Sequence, residues 1–335
     1  MRLLITGSFG FIGFNFLNYI VDNFKNDFDL VCIDSLESSC SIKNRKYFDQ
    51  KDIDYLFYNN KIEDIESLGI ENIDIIINFA AETHVDNSIY NPEKFVNSNV
   101  YGLVALLKFA QLNDVSQVVH LSTDEVYGSI ENGNFLEEDI LKPSSPYSAS
   151  KAAAEHFCNA FSTTYGLNVV QLRPGNNYGI YQQPEKMIPF SVANLINGKN
   201  IEVYGNGKNV RHWLHAEDTS RAILQIINDK NTSDVFNIGS GFYLNNLELS
   251  NKILNILNLN ENRLTFVDDR PGHDFRYATD FSKLTATGWK PIANFDTELE
   301  KIVQWYVENK SWWSEEYIQV IENNRKKRKG LEKRK

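Results

Sequence analysis

The chain of 335 residues is 42% hydrophobic and 23% charged, which is ordinary for a globular protein long enough to bury a sizeable core. This composition excludes a collagen, a coiled coil and wholesale disorder. The formal net charge of −10 argues against a protein body that binds nucleic acid.

The end of the chain differs from the rest because it is strongly basic. Arg325 to Lys335 contain eight Lys or Arg and one acidic residue, Glu332. Such a segment could contact an anionic lipid or nucleic acid, but a solvated chain end is the commoner arrangement. We therefore expect a basic, disordered tail over residues 321–335.

Cysteine usage and hydropathy indicate a soluble cytoplasmic protein. Cys32, Cys40 and Cys158 form neither a CxxC pair nor a zinc-like spacing, so reduced thiols and no metal site are expected. No secretory signal precedes the first strand. The apolar stretch 11–21 is interrupted by Gly13 and two Asn residues and is too broken to span a bilayer.

In the first half of the chain, short apolar runs alternate with helix-length segments. The runs are continuous Ile, Val and Leu stretches, which is typical of parallel strands covered on both faces. The predicted strands are Leu3–Thr6, Leu30–Ile33, Ile73–Phe79, Val118–Ser122 and Val169–Arg173. The predicted helices include Phe11–Asn23, Val100–Leu112 and Ser148–Tyr165. This alternation predicts an α/β fold, a Rossmann-type doubly wound parallel sheet.

After Pro174 the chain becomes richer in Asn, Gly and Pro, which favours a smaller C-terminal α/β lobe over the carboxyl edge of the sheet. The elements predicted here are helices at Pro189–Ile196, Ala216–Asn228 and Leu247–Leu257 and a strand at Val235–Ile238. We expect a nucleotide-binding domain over residues 1–174 plus about 212–240, and a substrate lobe over 175–211 and 241–320.

A glycine-rich turn follows the first predicted strand and opens the first helix. Gly7, Gly10 and Gly13, with Phe11 and Ile12 between them, fit a tight turn that places a pyrophosphate at a helix N-terminus. The spacing is GxxGxxG rather than GxGxxG, and packing glycines would look similar.

Asp34 makes the cofactor assignment sharper. It closes the second strand, about 20 residues beyond the glycines, where a carboxyl group can bond the adenosine ribose. A carboxylate there would repel a 2′-phosphate, so the sequence predicts NAD rather than NADP as cofactor.

Tyr147 and Lys151 stand four residues apart on one predicted helix face. A free Tyr has a pKa of about 10 and is a poor base at neutral pH. A nearby cation favours the phenolate. The pair therefore predicts proton transfer coupled to hydride transfer, although the YxxxK pattern by itself is common.

Strand four ends in Thr123, Asp124 and Glu125, at the sheet edge that faces the ligand crevice in open α/β sheets. Thr123 can hydrogen-bond a sugar hydroxyl. Either carboxyl group alone could cap a loop or face solvent. Both together, beside a hydride-transfer site, predict an acid/base pair that acts on neighbouring carbons.

The chain resembles the extended short-chain dehydrogenase/reductase family and, within it, the dTDP-glucose 4,6-dehydratases, from Gly7 to about Tyr317. The adjacent Asp-Glu pair is the specific element, because related epimerases and decarboxylases usually lack one or both carboxylates. The other matching motifs are Ala80–Asp86, Thr123–Gly128, Asn176–Gly179, Pro184–Pro189, Asn209–Arg211 and Arg270–Asp274.

The resemblance implies a redox-neutral reaction on a nucleotide sugar. Tyr147 takes the O4 proton while the C4 hydride passes to NAD⁺, Glu125 removes the C5 proton, and Asp124 protonates the departing O6. Thr123 and Lys151 complete the catalytic set. Hydride then returns to C6, giving a 4-keto-6-deoxy sugar and water.

The resemblance also implies binding residues and a partner. Ala80, Ala81, Thr83 and Asn99 join the glycine turn, Asp34, Tyr147 and Lys151 at NAD. The nucleotide-sugar substrate would meet Thr83, His84, Asn177, Lys186, Arg211, Asn246, Arg270 and His273. Relatives pair the helices predicted at 100–112 and 148–165, so a homodimer is expected, although burial in the core would explain their apolar faces equally well. Neither nucleic acid nor membrane is expected as a partner.

Two departures leave alternatives open. Asn60-Lys61-Ile62 replaces the usual Gly-Asp-Ile, so the adenine contact is either absent or moved to Asp64. Asn87 stands where dTDP-glucose enzymes usually carry Arg and resembles the UDP-glucose 4,6-dehydratases of rhamnose synthesis, so either base is possible. The competing functions are a 4-epimerase or decarboxylase of the same scaffold and a non-catalytic NAD-binding regulator.

Overall fold

The computed structural model describes residues 1–24, 27–228 and 234–332, with side chains as far as residue 324. The strands in chain order are β1 (Arg2–Thr6), β2 (Asp29–Ile33), β3 (Tyr55–Tyr58), β4 (Ile75–Asn78), β5 (Gln117–Leu121), β6 (Val169–Pro174), β7 (Asn176–Tyr178), β8 (Ile201–Tyr204), β9 (Val210–His215), β10 (Val235–Ile238), β11 (Tyr243–Asn245) and β12 (Leu264–Val267).

The helices pack around these strands. In chain order they are α1 (Phe11–Asn23), α2 (Ser39–Phe48), α3 (Val85–Tyr90), α4 (Pro92–Phe95), α5 (Gly102–Leu112), α6 (Pro146–Tyr165), α7 (Met187–Ile196), α8 (Ala216–Ile227), α9 (Asn246–Ile256), α10 (Ser282–Thr285), α11 (Phe295–Glu308) and α12 (Lys310–Glu332). Within the described ranges, none of them is both long and apolar enough to cross a membrane.

Seven parallel strands form the main sheet, in the order β10-β6-β5-β4-β1-β2-β3. The apolar runs of the central strands are buried on both faces, as in β4, where every residue is buried. The strand order reverses between β1 and β4, which pair directly with Thr6 opposite Asn78. This is the doubly wound Rossmann-type order, so the predicted fold class is confirmed.

Helices cover both faces of this sheet. On one face α1 and α8 bury Phe14, Leu17 and Ile223 in one core cluster, and on the other α5 and α6 bury Leu106 and Cys158 in a second. Each helix repeats apolar residues every three or four positions, so one stripe faces the sheet. The covered sheet leaves its carboxyl edge open to the second lobe.

The second lobe has a core of its own, built mainly from α7, α9, α11 and α12. Its strands form a small sheet in the order β11-β9-β7 and a parallel pair of β8 with β12. Because β7 follows β6 after one residue, the lobe begins directly at the carboxyl edge of the main sheet.

The packing differs from the predicted division of the chain at two points. β9 lies in the small sheet although it was expected in the nucleotide-binding domain. Conversely, Leu284 and Trp289 pack in the core of the main sheet although the substrate lobe was predicted to include them. β9 pairs with β7 and β11, and Leu284 lies on α10, which packs beside β10 at the edge of the main sheet.

The end of the chain also differs from the expected disordered tail, because the helix α12 continues to Glu332. Trp313 and Tyr317 are buried in the C-terminal core, and Ile321 packs against it. These anchors hold the start of the helix, from which it extends into the basic segment. Residues 333–335 lie outside the described residues.

Candidate active site

A cleft of about 600 Å³ runs along the carboxyl edge of the main sheet and is lined by residues of both lobes. Most of the predicted site residues lie on its wall. These are Gly7, Gly10, Phe11, Ile12, Gly13, Asp34, Ala80, Ala81, Thr83, His84, Thr123, Asp124, Glu125, Tyr147, Lys151, Asn177 and Lys186. The fold therefore brings motifs from across the chain into one crevice.

The glycine turn needs glycine for steric reasons. Gly7 has a φ of +63°, and a Cβ atom there would lie 2.6 Å from the backbone nitrogen of Ala80, so the turn after β1 packs directly on the chain after β4. No side chain caps the start of α1 at Gly10. The first N–H groups of this helix therefore face the cleft as an anion-binding end.

Asp34 lies where the sequence predicted it, at the end of β2. Its Oδ2 accepts a hydrogen bond from the Phe9 nitrogen at 2.9 Å and its Oδ1 one from the Leu36 nitrogen at 2.8 Å. Burial raises the pKa of this carboxyl group, against the effect of the backbone hydrogen bonds. Asp34 thus holds the glycine turn to the second strand while forming part of the cleft wall.

Near Asp34 the cleft wall is formed by Asn60–Glu63. Asp64, the alternative position considered for the adenine contact, is not on the wall, and its backbone nitrogen donates to the Lys61 carbonyl. The sequence analysis missed an ion-pair chain here. Glu37 forms ion pairs with both Lys61 and Lys94, each at 3.0 Å. Lys94 also pairs with Glu82 at 2.6 Å.

Tyr147 and Lys151 project from α6 into the middle of the cleft. The Lys151 Nζ donates to the Leu121 carbonyl at 2.7 Å, and burial lowers the pKa of this amine to about 8. Burial, followed by the charge of Glu125, raises the pKa of Tyr147, and a hydrogen bond with Thr123 acts against this rise. The expected lowering of the phenol pKa is not observed, because burial dominates and the Lys151 amine bonds the end of β5.

A buried polar chain lies behind Lys151. Its Nζ is 3.4 Å from His120 Nε2, and His120 Nδ1 is 3.0 Å from Asn78 Nδ2. Burial, and then the charge of Lys151, lowers the pKa of His120 well below its usual value, so the imidazole is neutral. The sequence analysis missed this chain, although a His inside the apolar strand β5 was a possible signal.

The two adjacent carboxyl groups begin a 3₁₀ turn directly after β5. Thr123 caps it by accepting a hydrogen bond from the Glu125 nitrogen at 3.2 Å. Among the described residues, none bonds the buried Oδ2 of Asp124. Burial, followed by the charge of Glu125, raises the pKa of Asp124 well above its usual value.

Glu125 has more positive surroundings than Asp124. Burial raises the pKa of its carboxyl group, while the charges of Arg270, Arg211 and Lys186 act to lower it. Its Oε2 also accepts from the Tyr277 hydroxyl at 3.4 Å. Two neighbouring carboxyl groups with different environments are the arrangement that separates an acid from a base.

Four predicted substrate residues lie on the wall of the cleft. Lys186 donates to the Thr83 carbonyl at 2.7 Å and so joins the second lobe to the chain after β4. His84 caps the start of α3. Asn177 lies on β7, and its Oδ1 accepts from the Thr219 hydroxyl at 2.7 Å.

Five predicted residues are not on the wall. Asn99 is buried and bonds both backbone groups of Glu82, so it supports the wall. Asn246 begins α9 and donates its backbone nitrogen to the Asn209 carbonyl.

The other three of these residues are bonded elsewhere, two of them within the second lobe and Arg270 to the nucleotide-binding domain. Arg211 donates to the carbonyls of Val210 and Asp274. Arg270 pairs with Asp86 at 3.1 Å, and His273 bonds Asp269 at 2.6 Å. Arg211 and Arg270 nevertheless act on the charge of Glu125. Within the described residues, no cluster of acidic, His and Cys side chains could hold a metal ion.

Known proteins resemble this chain over nearly its whole length. Residues 4–302 match the family model described as GDP-mannose 4,6 dehydratase. The low-salt glycan biosynthesis protein Agl12 of Haloferax volcanii is 41% identical over 92% of this chain and 99% of its own length. A dTDP-glucose 4,6-dehydratase of Streptomyces niveus is 39% identical over 93% of this chain and 95% of its own length.

One similar solved structure is that of DesIV of Streptomyces venezuelae, a dTDP-glucose 4,6-dehydratase crystallised with NAD. It superposes with a TM-score of 0.90 at 38% identity and covers 94% of this chain and 100% of its own. Sequence and structure thus agree on the same group of proteins.

Proposed function

This chain belongs to the GDP-mannose 4,6 dehydratase family, and we propose that it is an NAD-dependent hydro-lyase. It converts dTDP-glucose or UDP-glucose into the 4-keto-6-deoxy sugar and water. The observation that carries this proposal is the pair of adjacent carboxyl groups, Asp124 and Glu125, on one cleft wall with Tyr147. A scaffold that only exchanged hydride would need neither of them.

The residues of the cleft fit NAD. A Cβ atom at Gly7 or Gly13 would meet backbone atoms, and the open helix start at Gly10 suits a pyrophosphate. Asp34 at the end of β2 would accept from a ribose hydroxyl and repel a 2′-phosphate. NAD⁺ in this cleft supplies a hydride acceptor at C4 and, once reduced, a hydride donor to C6. Relatives are dTDP-glucose 4,6-dehydratases, and one of them is crystallised with NAD.

Tyr147 is the proposed base at the sugar O4. Burial raises the pKa of its phenol, so its proton must leave with the help of a positive charge. Lys151 carries that charge one turn further along α6, and Thr123 holds the phenol by a hydrogen bond. Removal of the O4 proton as C4 is oxidised gives a ketone, which acidifies the neighbouring C5 proton.

Glu125 and Asp124 then divide the elimination of water between them. Glu125 faces the charges of Arg270, Arg211 and Lys186, which favour its ionised form as the C5 base. Asp124 is desolvated beside Glu125 and keeps its proton, so it acts as the acid that donates to the departing O6. The two environments thus support two different roles.

The nucleoside diphosphate would occupy the end of the cleft in the second lobe. Asn177 and Lys186 are on its wall, and Arg211 carries a planar charged group suited to a diphosphate. Asn246, Arg270 and His273 lie within the same lobe and complete the proposed set. Arg211 must exchange a backbone carbonyl for phosphate to take this role.

We also propose a cytoplasmic homodimer. Phe157 and Tyr165 on α6, together with Tyr101 and Leu112 on or beside α5, are large apolar side chains with exposed fractions between 41% and 62%. An apolar surface of this kind on two neighbouring helices suits a second copy of the chain.

One incubation tests the proposal. The purified chain is mixed with dTDP-glucose and, separately, with UDP-glucose, and the product is assayed by the absorbance that a 4-keto-6-deoxy sugar develops in alkali. We expect this product from at least one substrate. A galactose epimer or a decarboxylated sugar would assign the chain to a sibling enzyme, and no conversion of either substrate would favour a non-catalytic NAD-binding protein.

A further inference from the structure

The helix α12 lies beyond the segment that matches the family model, which ends at residue 302, and one of its sides is fixed in the second lobe. The Trp313 Nε1 donates to the Tyr306 carbonyl at 2.8 Å, and the Tyr317 hydroxyl donates to Asn194 Oδ1 at 2.7 Å. Both aromatic side chains are buried. The position of α12 is therefore set by the core of the second lobe.

The other side of α12 contacts α2, which belongs to the nucleotide-binding domain. Glu316 Oε2 accepts from the backbone nitrogen and the hydroxyl of Ser39 at 2.7 and 3.0 Å. Lys43 Nζ donates to the carbonyls of Ser311 and Trp312 at 3.0 and 3.2 Å. The helix thus joins the two lobes beside the cleft.

The buried side-chain amide of Asn44 connects α12 to the glycine turn through two hydrogen bonds. The Trp312 Nε1 donates to Asn44 Oδ1 at 2.9 Å, and Asn44 Nδ2 donates to the Phe9 carbonyl at 2.9 Å. Asn44 is fully buried, and Phe9 lies between Gly7 and Gly10. Because both ends of the amide are bonded, a shift at the indole is transmitted to the turn.

Residues of α12 also form part of the cleft itself. Glu316, Gln319, Val320 and Asn323 line the same cavity as the glycine turn. We propose that α12 is a clasp on the cofactor site, and that Trp312 is a positioning residue that holds the glycine turn in its NAD-binding shape through Asn44. This inference rests on the proposed binding of NAD.

Losing the indole donor would leave a buried acceptor unpaired. With Phe at position 312 the ring remains but the Nε1–H is lost, and Asn44 Oδ1 stays buried without this bond. The amide can recover a partner only by rotating, which disturbs its bond to the Phe9 carbonyl. The effect should therefore fall on NAD rather than on the nucleoside diphosphate, which binds at the other end of the cleft.

Two matched variants of the full-length chain test the clasp. Trp312→Phe removes the bond to Asn44, whereas Trp313→Phe removes an equivalent indole bond to the Tyr306 carbonyl, away from α2. NAD⁺ and dTDP or UDP are titrated into each protein by calorimetry. We expect Trp312→Phe to weaken NAD⁺ binding about tenfold, the loss of one buried hydrogen bond. Trp313→Phe should change it less than twofold, and nucleoside-diphosphate binding should stay unchanged in both.

An equal loss of NAD⁺ affinity in both variants, or no loss in Trp312→Phe, overturns the clasp. If Trp312→Phe does not fold, Glu316→Gln is compared with Glu322→Gln, which lies on the same helix off the cleft wall. We expect about threefold weaker NAD⁺ binding in Glu316→Gln alone, as for the loss of a partly exposed contact, and equal affinities overturn the clasp.

The wild-type protein separates this inference from the proposed function. If it binds NAD⁺ but forms no 4-keto-6-deoxy sugar, the dehydratase proposal fails while the clasp is still judged by the variants. If it binds no NAD⁺, both proposals are wrong.

Discussion

At the scale of single residues, the proposed chemistry depends on two neighbouring carboxyl groups that the chain keeps in different environments. Asp124 is shut away from solvent with its Oδ2 unbonded in the described structure, while Glu125 faces three cationic side chains. Their proposed roles, acid and base, follow from this difference and can be separated by changing one carboxyl at a time.

We expect Glu125→Gln to stop water loss while leaving the oxidation at C4 possible. The amide cannot take the C5 proton, and general-base catalysis is typically worth about 10²–10⁴-fold, so turnover should fall at least about 100-fold. Absorbance of reduced NAD, followed after mixing with substrate, should still show partial reduction. Asp139→Asn, an acid-to-amide change off the cleft wall, should keep normal turnover, and full turnover in Glu125→Gln would falsify the assignment of the C5 base.

A second prediction concerns stability. Burial raises the pKa of Asp124 well above its usual value, so the folded state disfavours the ionised form, and the penalty grows as pH rises from the unfolded pKa through the folded one. Asp124→Asn should therefore melt higher than the wild type at alkaline pH, by about 1–2 °C per kcal/mol for a chain of this length, and the gain should shrink as pH falls. A gain that is the same at every pH would contradict this origin.

The same ionisations set the pH dependence of turnover. Activity should fall at low pH as Glu125, whose pKa is raised by burial, takes up a proton and ceases to be a base. It should also fall at high pH as Asp124 loses the proton that it donates. A pH profile of kcat should show both limbs, and Asp124→Asn should remove the alkaline limb that belongs to this group.

At the scale of elements, the two faces of α6 have different proposed roles. Its buried face carries Tyr147 and Lys151 into the cleft, and its exposed face carries Phe157 and Tyr165. Phe161 lies between these two in sequence, so the three aromatic residues are spaced by four along the helix. If the exposed face binds a second copy, assembly also steadies the helix that presents the catalytic pair.

We expect Phe157→Glu with Tyr165→Glu to give a monomer, because two charges would have to be buried in the apolar contact. Sedimentation velocity of the purified variant against the wild type measures this. Phe266→Glu is the control, since Phe266 on β12 is a comparably exposed aromatic residue elsewhere. A wild type that is already monomeric, or a double variant that remains dimeric, would show that this face is not the interface.

At the scale of the whole molecule, the cleft joins two lobes with different ligands. The main sheet supplies the proposed NAD end, and the second lobe supplies the diphosphate end. Each ligand binds only the folded chain, so each at about 100 times its Kd should add about 2.7 kcal/mol to the free energy of unfolding. Thermal melts with NAD⁺, dTDP and both together should show increments from each.

Arg211→Met should remove the increment from dTDP and keep the one from NAD⁺. Arg211 lies over the Tyr277 ring and donates hydrogen bonds to backbone carbonyls. Arg276 has matching contacts, because it lies over the Tyr243 ring and donates to the Gly133 carbonyl. Arg276→Met is therefore a matched control that should keep both increments. Loss of the dTDP increment in both variants, or in neither, would remove Arg211 from the diphosphate site.

The fold and the centre of the site were predictable because their signals are local. Continuous apolar runs predicted most strands of the main sheet, and the helix Phe11–Asn23 was predicted to the residue. β3 was missed because its short run Tyr55–Tyr58 is only partly buried and lies at the sheet edge. The glycine turn and the Thr123–Glu125 segment were placed at the cleft correctly because each follows a strand whose carboxyl end faces it, and the four-residue spacing of Tyr147 and Lys151 on one helix brought both to the same wall.

The misses share another cause, namely contacts between distant parts of the chain. The ion-pair chain from Lys61 to Glu82 joins residues from three loops and α4. Because these residues are far apart in the sequence, no spacing pattern predicts it. The raised pKa of Tyr147 comes mainly from its burial, and burial at this position is set by the tertiary packing around α6. The helical tail was missed because its anchors, Trp313 and Tyr317, bury themselves in a core that forms from the whole second lobe.

The position of α12 has a consequence for how such an enzyme can be adapted. The helix lies beyond the residues that match the family model, yet its side chains reach the cleft that the glycine turn lines. Substitutions there could alter how long NAD stays bound while every residue that touches the sugar is left alone. Cofactor residence time and sugar chemistry would then be separately adjustable, the first from the last helix and the second from the sheet edge.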